Sequence, residues 1–159
     1  MTVLSPMRET YFPQFLEQLA ADYASENVRS GRWPQENALT RSQSELMRLL
    51  AQGTATPDNY LFEIKTDPDG QTAGYIWFAV SERQGERSAF IYEVSVFSEF
   101  RRQGHARAAF LQLEGKVREL GLKSIGLNVF YHNSAAQALY TSLGYAPTNL
   151  TMVKTLKTS

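Results

Sequence analysis

A chain of 159 residues with 16 basic and 16 acidic side chains carries no net charge at pH 7, which argues against nucleic acid or an anionic membrane as partner. Cysteine is absent, so a disulfide framework, a thiolate nucleophile and any thiolate-held metal are excluded. No apolar run approaches the ~18 residues of a membrane span, no signal peptide is visible, and one domain over residues 1–159 in the cytoplasm is the expectation.

Thr2 to Leu4 reads as a short edge strand stopped at Pro6. From Glu9 to Arg29, Phe12, Phe15, Leu16, Leu19, Ala20, Tyr23 and Val28 form a helical stripe that Ser30-Gly31 ends. A second helix is predicted over 35–51, with Leu39, Leu46, Leu49 and Leu50 inward and Gly53 just past its end. Strands follow at 60–65, 73–80 and 89–97, separated by the turn residues Asp67-Pro68-Asp69-Gly70 and by a connection over 81–87. This is an antiparallel meander. Ala106, Phe110, Leu113, Val117 and Leu120 then line one face of a helix over 107–120, with Gly121 as its stop. A strand over 124–130 completes a βαβ unit whose two strands run parallel. Asn133 or Ser134 caps a helix to about Leu143, Gly144 closes it, and Tyr145 with 150–156 supplies the last strands. The fold class is α+β: a mixed, mostly antiparallel sheet around a central βαβ unit, flanked by helices.

The chemistry concentrates between the strand at 89–97 and the helix after it. A strand, a Gly-containing turn and a helix N-terminus leave backbone N–H groups aimed at one spot, and the helix dipole favours an anion there. Arg101, Arg102 and Arg107 crowd the same turn. A Rossmann turn needs Gly-x-Gly-x-x-Gly and a P-loop needs Gly-Lys-Ser/Thr; neither is present.

Arg101-Arg102-Gln103-Gly104-His105-Ala106 matches the Arg/Gln-x-x-Gly-x-Gly/Ala signature of the GNAT superfamily of N-acetyltransferases. A second pattern of that family, Asn-x-x-Ala-x-x-x-Tyr-x-x-x-Gly-aromatic, is met by Asn133, Ala136, Tyr140, Gly144 and Tyr145. Over residues 60–156 the chain therefore resembles this family, and the two N-terminal helices resemble it in outline. The resemblance implies three regions: 1–58 with the acceptor-side helices, 59–132 with the central sheet and acyl-CoA turn, and 133–159 with the C-terminal helix and strands. It implies acetyl-CoA as co-substrate and no metal. The pyrophosphate would lie on the backbone of Gln103, Gly104, His105, Ala106 and Arg107, with the arginines as further phosphate partners; Arg101 serves equally as a structural turn residue. Splayed parallel strands would hold pantetheine between Val94–Val96 and Leu127–Val129, including Asn128, and Asn133 would touch CoA or cap its helix.

Tyr140 resembles the family's general acid, and a phenol near its ordinary pKa of about 10 is protonated and able to donate at neutral pH. Its other reading is a core aromatic. Glu93 stands in an apolar strand where many relatives carry a carboxylate. Burial would raise its pKa into the range of a base, and strand alternation puts it opposite Tyr92 and Val94 unless the strand bulges. Glu63 and Glu26 are the rival carboxylates. Tyr23, Glu26, Trp33, Tyr75 and Trp77 are candidates for an aromatic, partly acidic acceptor pocket suited to a cationic amine, or else ordinary core. His105 and His132, isolated from any carboxylate pattern, make no metal site. The activity implied is acetyl transfer to a small-molecule or peptide amine. A non-catalytic acyl-CoA-binding domain and a longer acyl donor are the alternatives, and homodimers are common in the family.

Overall fold

The computed structural model describes residues 1–158, excepting the side chain of Arg83. They gather into two compact units, Met1–Asn128 and Val129–Ser159. In the first, β1 (Val3–Pro6), β2 (Asn59–Lys65), β3 (Thr72–Arg83), β4 (Glu86–Val96) and β5 (Ile125–Leu127) form a five-stranded sheet in the order β1-β2-β3-β4-β5. Its first three pairings are antiparallel and the β4–β5 pairing is parallel. Helices α1 (Phe12–Arg29) and α2 (Ala38–Leu49) precede β2, and α3 (His105–Glu119) joins β4 to β5.

Side-chain alternation assigns the two faces of the sheet. Leu61, Tyr75 and Trp77 point to the side of α1 and α2, where they pack with Tyr11, Phe15, Leu19 and Leu46. Phe15 meets the Tyr75 ring edge-on at 4.9 Å between centroids. The other face presents Phe62, Ile64, Ile76 and Phe78. α3 lies on that side, with Lys116 Nζ 5.1 Å above the Phe62 ring. Gln112 holds α3 to the edge strand by accepting from Leu4 N and donating to Thr2 O. On α2 the buried positions are Ala38, Ser42 and Leu46, while Leu39 is 49% exposed, contrary to the sequence expectation. The helix starts at Ala38, after Asn37 in the left-handed region, so its inward stripe runs 38, 42, 46 and Leu39 falls off it.

Three boundaries differ from the sequence reading. β3 and β4 continue through most of 81–87, because Gln84 (φ 53°) and Gly85 (φ 82°) both adopt positive φ and close the hairpin in two residues. β5 spans only Ile125–Leu127, since its ladder with β4 covers Ala89–Ile91 and ends there. No strand forms over 150–156: the stretch makes no ladder, and Leu150, Met152, Val153 and Leu156 are 65–87% exposed. A strand is stable through its partners rather than its own pattern.

The second unit is organised by α4 (Ser134–Ser142). No helix among the described residues is long and apolar enough to cross a membrane.

Candidate functional site

At the end of β4 the chain makes a 3₁₀ turn, Ser98–Phe100, and reaches α3 through 101–104. Arg102 (φ 62°) and Gly104 (φ 82°) both take left-handed conformations, which turns successive N–H groups toward one concavity. Gly104 is the N-cap of α3, and no side chain caps the helix. The first intrahelical bond is Ala108 N to Gly104 O, so the amides ahead of it point out of the helix end. A Cβ on Gly104 would meet nothing within 4 Å, so the ground before this turn is open. Neighbouring side chains fix the turn: Arg101 Nε donates to Val96 O at 2.9 Å, and His105 Nδ1 lies 2.8 Å from Thr2 Oγ1. Arg102, Gln103 and Arg107 are exposed. The local geometry accommodates a phosphate-bearing ligand.

β4 also offers backbone. Past Ile91 its β5-facing edge has no strand ladder, so the segment carrying Val94 and Val96 is open on that side. Asn128 is exposed, immediately beyond the end of β5.

The register of β3 and β4 slips at this point. Phe78 pairs with Ile91 and Trp77 with Glu93, leaving Tyr92 as an extra residue in a β-bulge. Tyr92 stacks on Trp77 with ring centroids 4.7 Å apart, and Glu93, opposite Trp77, shares that face. Both therefore face the α1 side, which strict alternation forbids for consecutive residues. Burial, reinforced by the charge of Asp22 on α1 and opposed by the Val94 N–H, raises the Glu93 carboxyl to about 7. Tyr75 is also pushed upward, first by burial and then by Glu93 and Asp22, so its phenol stays protonated.

Glu63 has the opposite environment. Fully buried, it accepts from Arg8 N (3.1 Å), Arg8 Nε (3.0 Å), Arg8 Nη2 (2.9 Å) and Thr72 Oγ1 (2.6 Å). Burial works to raise its pKa, but these donors overcome it and hold the carboxyl at about 2. Glu63 is thus a fixed anion joining the segment after β1 to β2 and β3, which removes it as a rival base.

The expected acceptor residues separate by exposure. Trp77 is 2% exposed, its Nε1 donating to Asn59 Oδ1, and Tyr75 is 1% exposed; both belong to the core. Trp33 is 8% exposed between the Tyr23 ring and the Arg41 guanidinium, 4.4 Å above it. Tyr23 is 37% exposed and donates its hydroxyl to Glu45 Oε2, tying α1 to α2. Glu26 is half-buried on α1. The sequence reading passed over Asp22, although Phe15, Leu19, Asp22 and Glu26 follow one another at steps of four, three and four.

In the second unit, the pattern from Asn133 to Tyr145 has a local structural meaning. Asn133 Oδ1 accepts from Ala136 N at 3.1 Å and caps α4. Gly144 (φ 98°) ends the helix, and Tyr145 N returns to Tyr140 O at 2.9 Å. The partly buried Tyr140 ring lies 5.9 Å from that of Tyr145. Among the described residues no cluster of three or more His, Asp or Glu is arranged to hold a metal ion.

Residues 15–145 match the model of the Acetyltransferase (GNAT) family, and the chain belongs to that family. It is an acyltransferase. It is 32% identical over 153 residues to the uncharacterized N-acetyltransferase YdgE of Bacillus subtilis strain 168, covering 96% of this chain and 97% of that protein. YycN of the same organism, also an uncharacterized N-acetyltransferase, is 31% identical over 157 residues, covering 98% and 100%. The crystal structure of YycN aligns with a TM-score of 0.91 over 99% of this chain and 100% of that one. The fold is shared further with AAC(6')-Iy, solved with the bisubstrate analog CoA-S-monomethyl-acetylneamine (TM-score 0.63, 14% identity, 99% of each chain).

Proposed function

We propose that this chain transfers the acetyl group of acetyl-CoA to a primary amine by direct attack in a ternary complex. The observation that carries the reading is Glu93, turned by the Tyr92 bulge to the α1 side with a carboxyl that titrates near neutrality. An amine must lose a proton to become a nucleophile and another as its bond to the acyl carbon forms. A carboxylate with pKa about 7 accepts such a proton at the pH where it is still half-ionised. The bond from nitrogen to the acetyl carbon forms, the bond from that carbon to sulfur breaks, and the departing thiolate takes a proton. Tyr140 is the proposed donor of that proton, on the strength of its sequence pattern.

The chain's own contribution to donor binding is the turn at 101–107. The backbone amides from Gln103 to Arg107 would hold the pyrophosphate, with Arg102 and Arg107 adding charge. Arg101 keeps the turn closed through Val96 O. Beyond Ile91 the β5-side edge of β4 would offer the Val94 C=O to an extended ligand arm and the Val96 N–H to the thioester carbonyl, the kind of donor that stabilises an oxyanion. Asn128, Asn133 and Ala136 complete the proposed donor contacts, and Tyr23 and Glu26 those to the acceptor. A cytoplasmic location, where acetyl-CoA is made, fits this chemistry.

A non-catalytic acyl-CoA-binding domain has no use for a carboxyl poised near 7, which favours catalysis. Calorimetry should give 1:1 binding of acetyl-CoA to the purified protein; absence of binding overturns the reading. Thiol release over a panel of amines should then reveal turnover, and Tyr140→Phe should slow it about 10- to 100-fold while leaving CoA affinity within about threefold.

A further inference from the structure

We propose that Thr2 and His105 are positioning residues for the diphosphate of the donor: the His105 imidazole ties the edge strand β1 to the turn at 101–104 and holds that turn in shape. The inference rests on the acetyl-CoA reading for the ligand, and adds the residues that keep its diphosphate site in form. The turn needs such a hold. Arg102 (φ 62°) carries a side chain in a left-handed conformation, which persists only where the surroundings impose it, and Gly104 (φ 82°) follows two residues on. His105 reaches back across both. Its ring meets the Phe100 ring, in the 3₁₀ turn ahead of them, edge-on with centroids 6.2 Å apart. Its Nε2 lies 3.3 Å from Gln103 Oε1. Gln103 Nε2 donates in turn to Glu99 O at 3.3 Å, which orients that amide and leaves Oε1 as an acceptor toward the ring. In the neutral ring the proton therefore sits on Nε2, and Nδ1 accepts from the Thr2 hydroxyl at 2.8 Å. The hydrogen bonds run one way, from Thr2 through His105 and Gln103 to Glu99.

Thr2 can serve as the anchor because β1 is fixed from two sides. Along one edge β1 pairs with β2. Along the other it meets Gln112, which lies about two helical turns after His105 on the same face of α3. Gln112 accepts from Leu4 N at 2.8 Å and donates to Thr2 O at 2.7 Å. Thr2 and His105 are half-buried, whereas Arg102, Gln103 and Gly104 are exposed, so the hold comes from behind the turn and leaves its front open. The amides that would meet the diphosphate are thus shaped before it arrives. Order imposed by the protein is order the ligand need not impose on binding, and that difference appears as affinity.

The test compares a ligand that reaches the turn with one that does not, in Thr2→Val, which keeps the outline of the side chain and removes its hydroxyl. The probes are CoA, which carries the diphosphate, and acetylpantetheine, which lacks it, each titrated at neutral pH. Thr2→Val should weaken CoA about fivefold and change acetylpantetheine by less than about twofold, and Thr2→Ser should restore CoA to within about twofold of the parent. His105→Phe keeps a ring against Phe100, loses both nitrogens, and should weaken CoA at least as much as Thr2→Val. At saturation the ³¹P resonances of the bound diphosphate should move in Thr2→Val and return in Thr2→Ser. Unchanged CoA affinity in Thr2→Val overturns the proposal, because the turn is then indifferent to β1. An equal loss for both probes also overturns it, as a general loosening of the fold. Parent protein that binds no CoA removes the donor reading itself, whereas parent and Thr2→Val binding CoA equally well removes this inference alone.

Discussion

Glu63 and Glu93 occupy comparable places and have opposite properties. Both lie on inner stretches of the sheet, on the face toward α1, opposite Tyr75 and Trp77 respectively. Burial pushes both carboxyls up. Around Glu63, donors from Arg8 and Thr72 reverse that push and hold it at about 2; around Glu93, the nearby charge is another carboxylate, and it rests at about 7. Depth alone does not make a base. The supply of donors decides whether a buried carboxyl is a fixed anion or a group that exchanges protons.

The comparison breaks most visibly in turnover. Glu93→Gln should lower kcat/KM about 10²- to 10³-fold and remove the rise in rate through pH ~7, measured by thiol release across pH 5.5–9. A profile unchanged in shape assigns the proton transfer elsewhere. Glu63→Gln should do the converse: destabilise the fold by roughly 2–3 kcal/mol in urea titration while leaving turnover per folded molecule within about twofold.

The pH dependence of stability separates the two again. Glu63, depressed from 4.5 to about 2, contributes stability that is complete above the unfolded value and lost as pH falls from 4.5 toward 2. Glu93, raised from 4.5 to about 7, has the reverse sign: stability declines as pH rises from 4.5 through 7. Glu93→Gln should therefore match the parent at pH 4.5 and exceed it by about 1–2 kcal/mol at pH 8, read by urea midpoints at both values. The smallest effect expected is that of Tyr92→Ala, which keeps the backbone bulge and removes the stacked ring. It should cost about threefold in acceptor KM with little change in kcat.

What the sequence disclosed follows from how local each signal is. The turn at 101–104 and the helix from Asn133 to Gly144 were legible because Gly104, Asn133 and Gly144 act within their own few residues. The mixed sheet was legible from strand, helix and turn patterns taken in order. The bulge was not, because Tyr92 and Glu93 sit in an apolar run that reads equally well with or without a slipped register against β3. Nor was the clamp on Glu63, since Arg8 and Thr72 are far from it in the chain. The 150–156 stretch is rich in apolar and β-branched residues, but composition does not supply the neighbour a strand needs. Asp22, exposed on α1, was overlooked because only the packing of Phe15 and Leu19 identifies its side of the helix.

The bulge at Tyr92 is one extra residue of β4 counted against β3, and it sets Tyr92 beside Glu93 on one face of the sheet. Substituting residues along β4 leaves the tally intact and the carboxyl on its side of the sheet. Deleting Tyr92 would restore plain alternation with Glu93 still opposite Trp77, so the carboxyl would keep its face and lose its aromatic neighbour. The extra residue thus sets a ring beside the proposed reacting group, and that neighbour is written in the length of the strand.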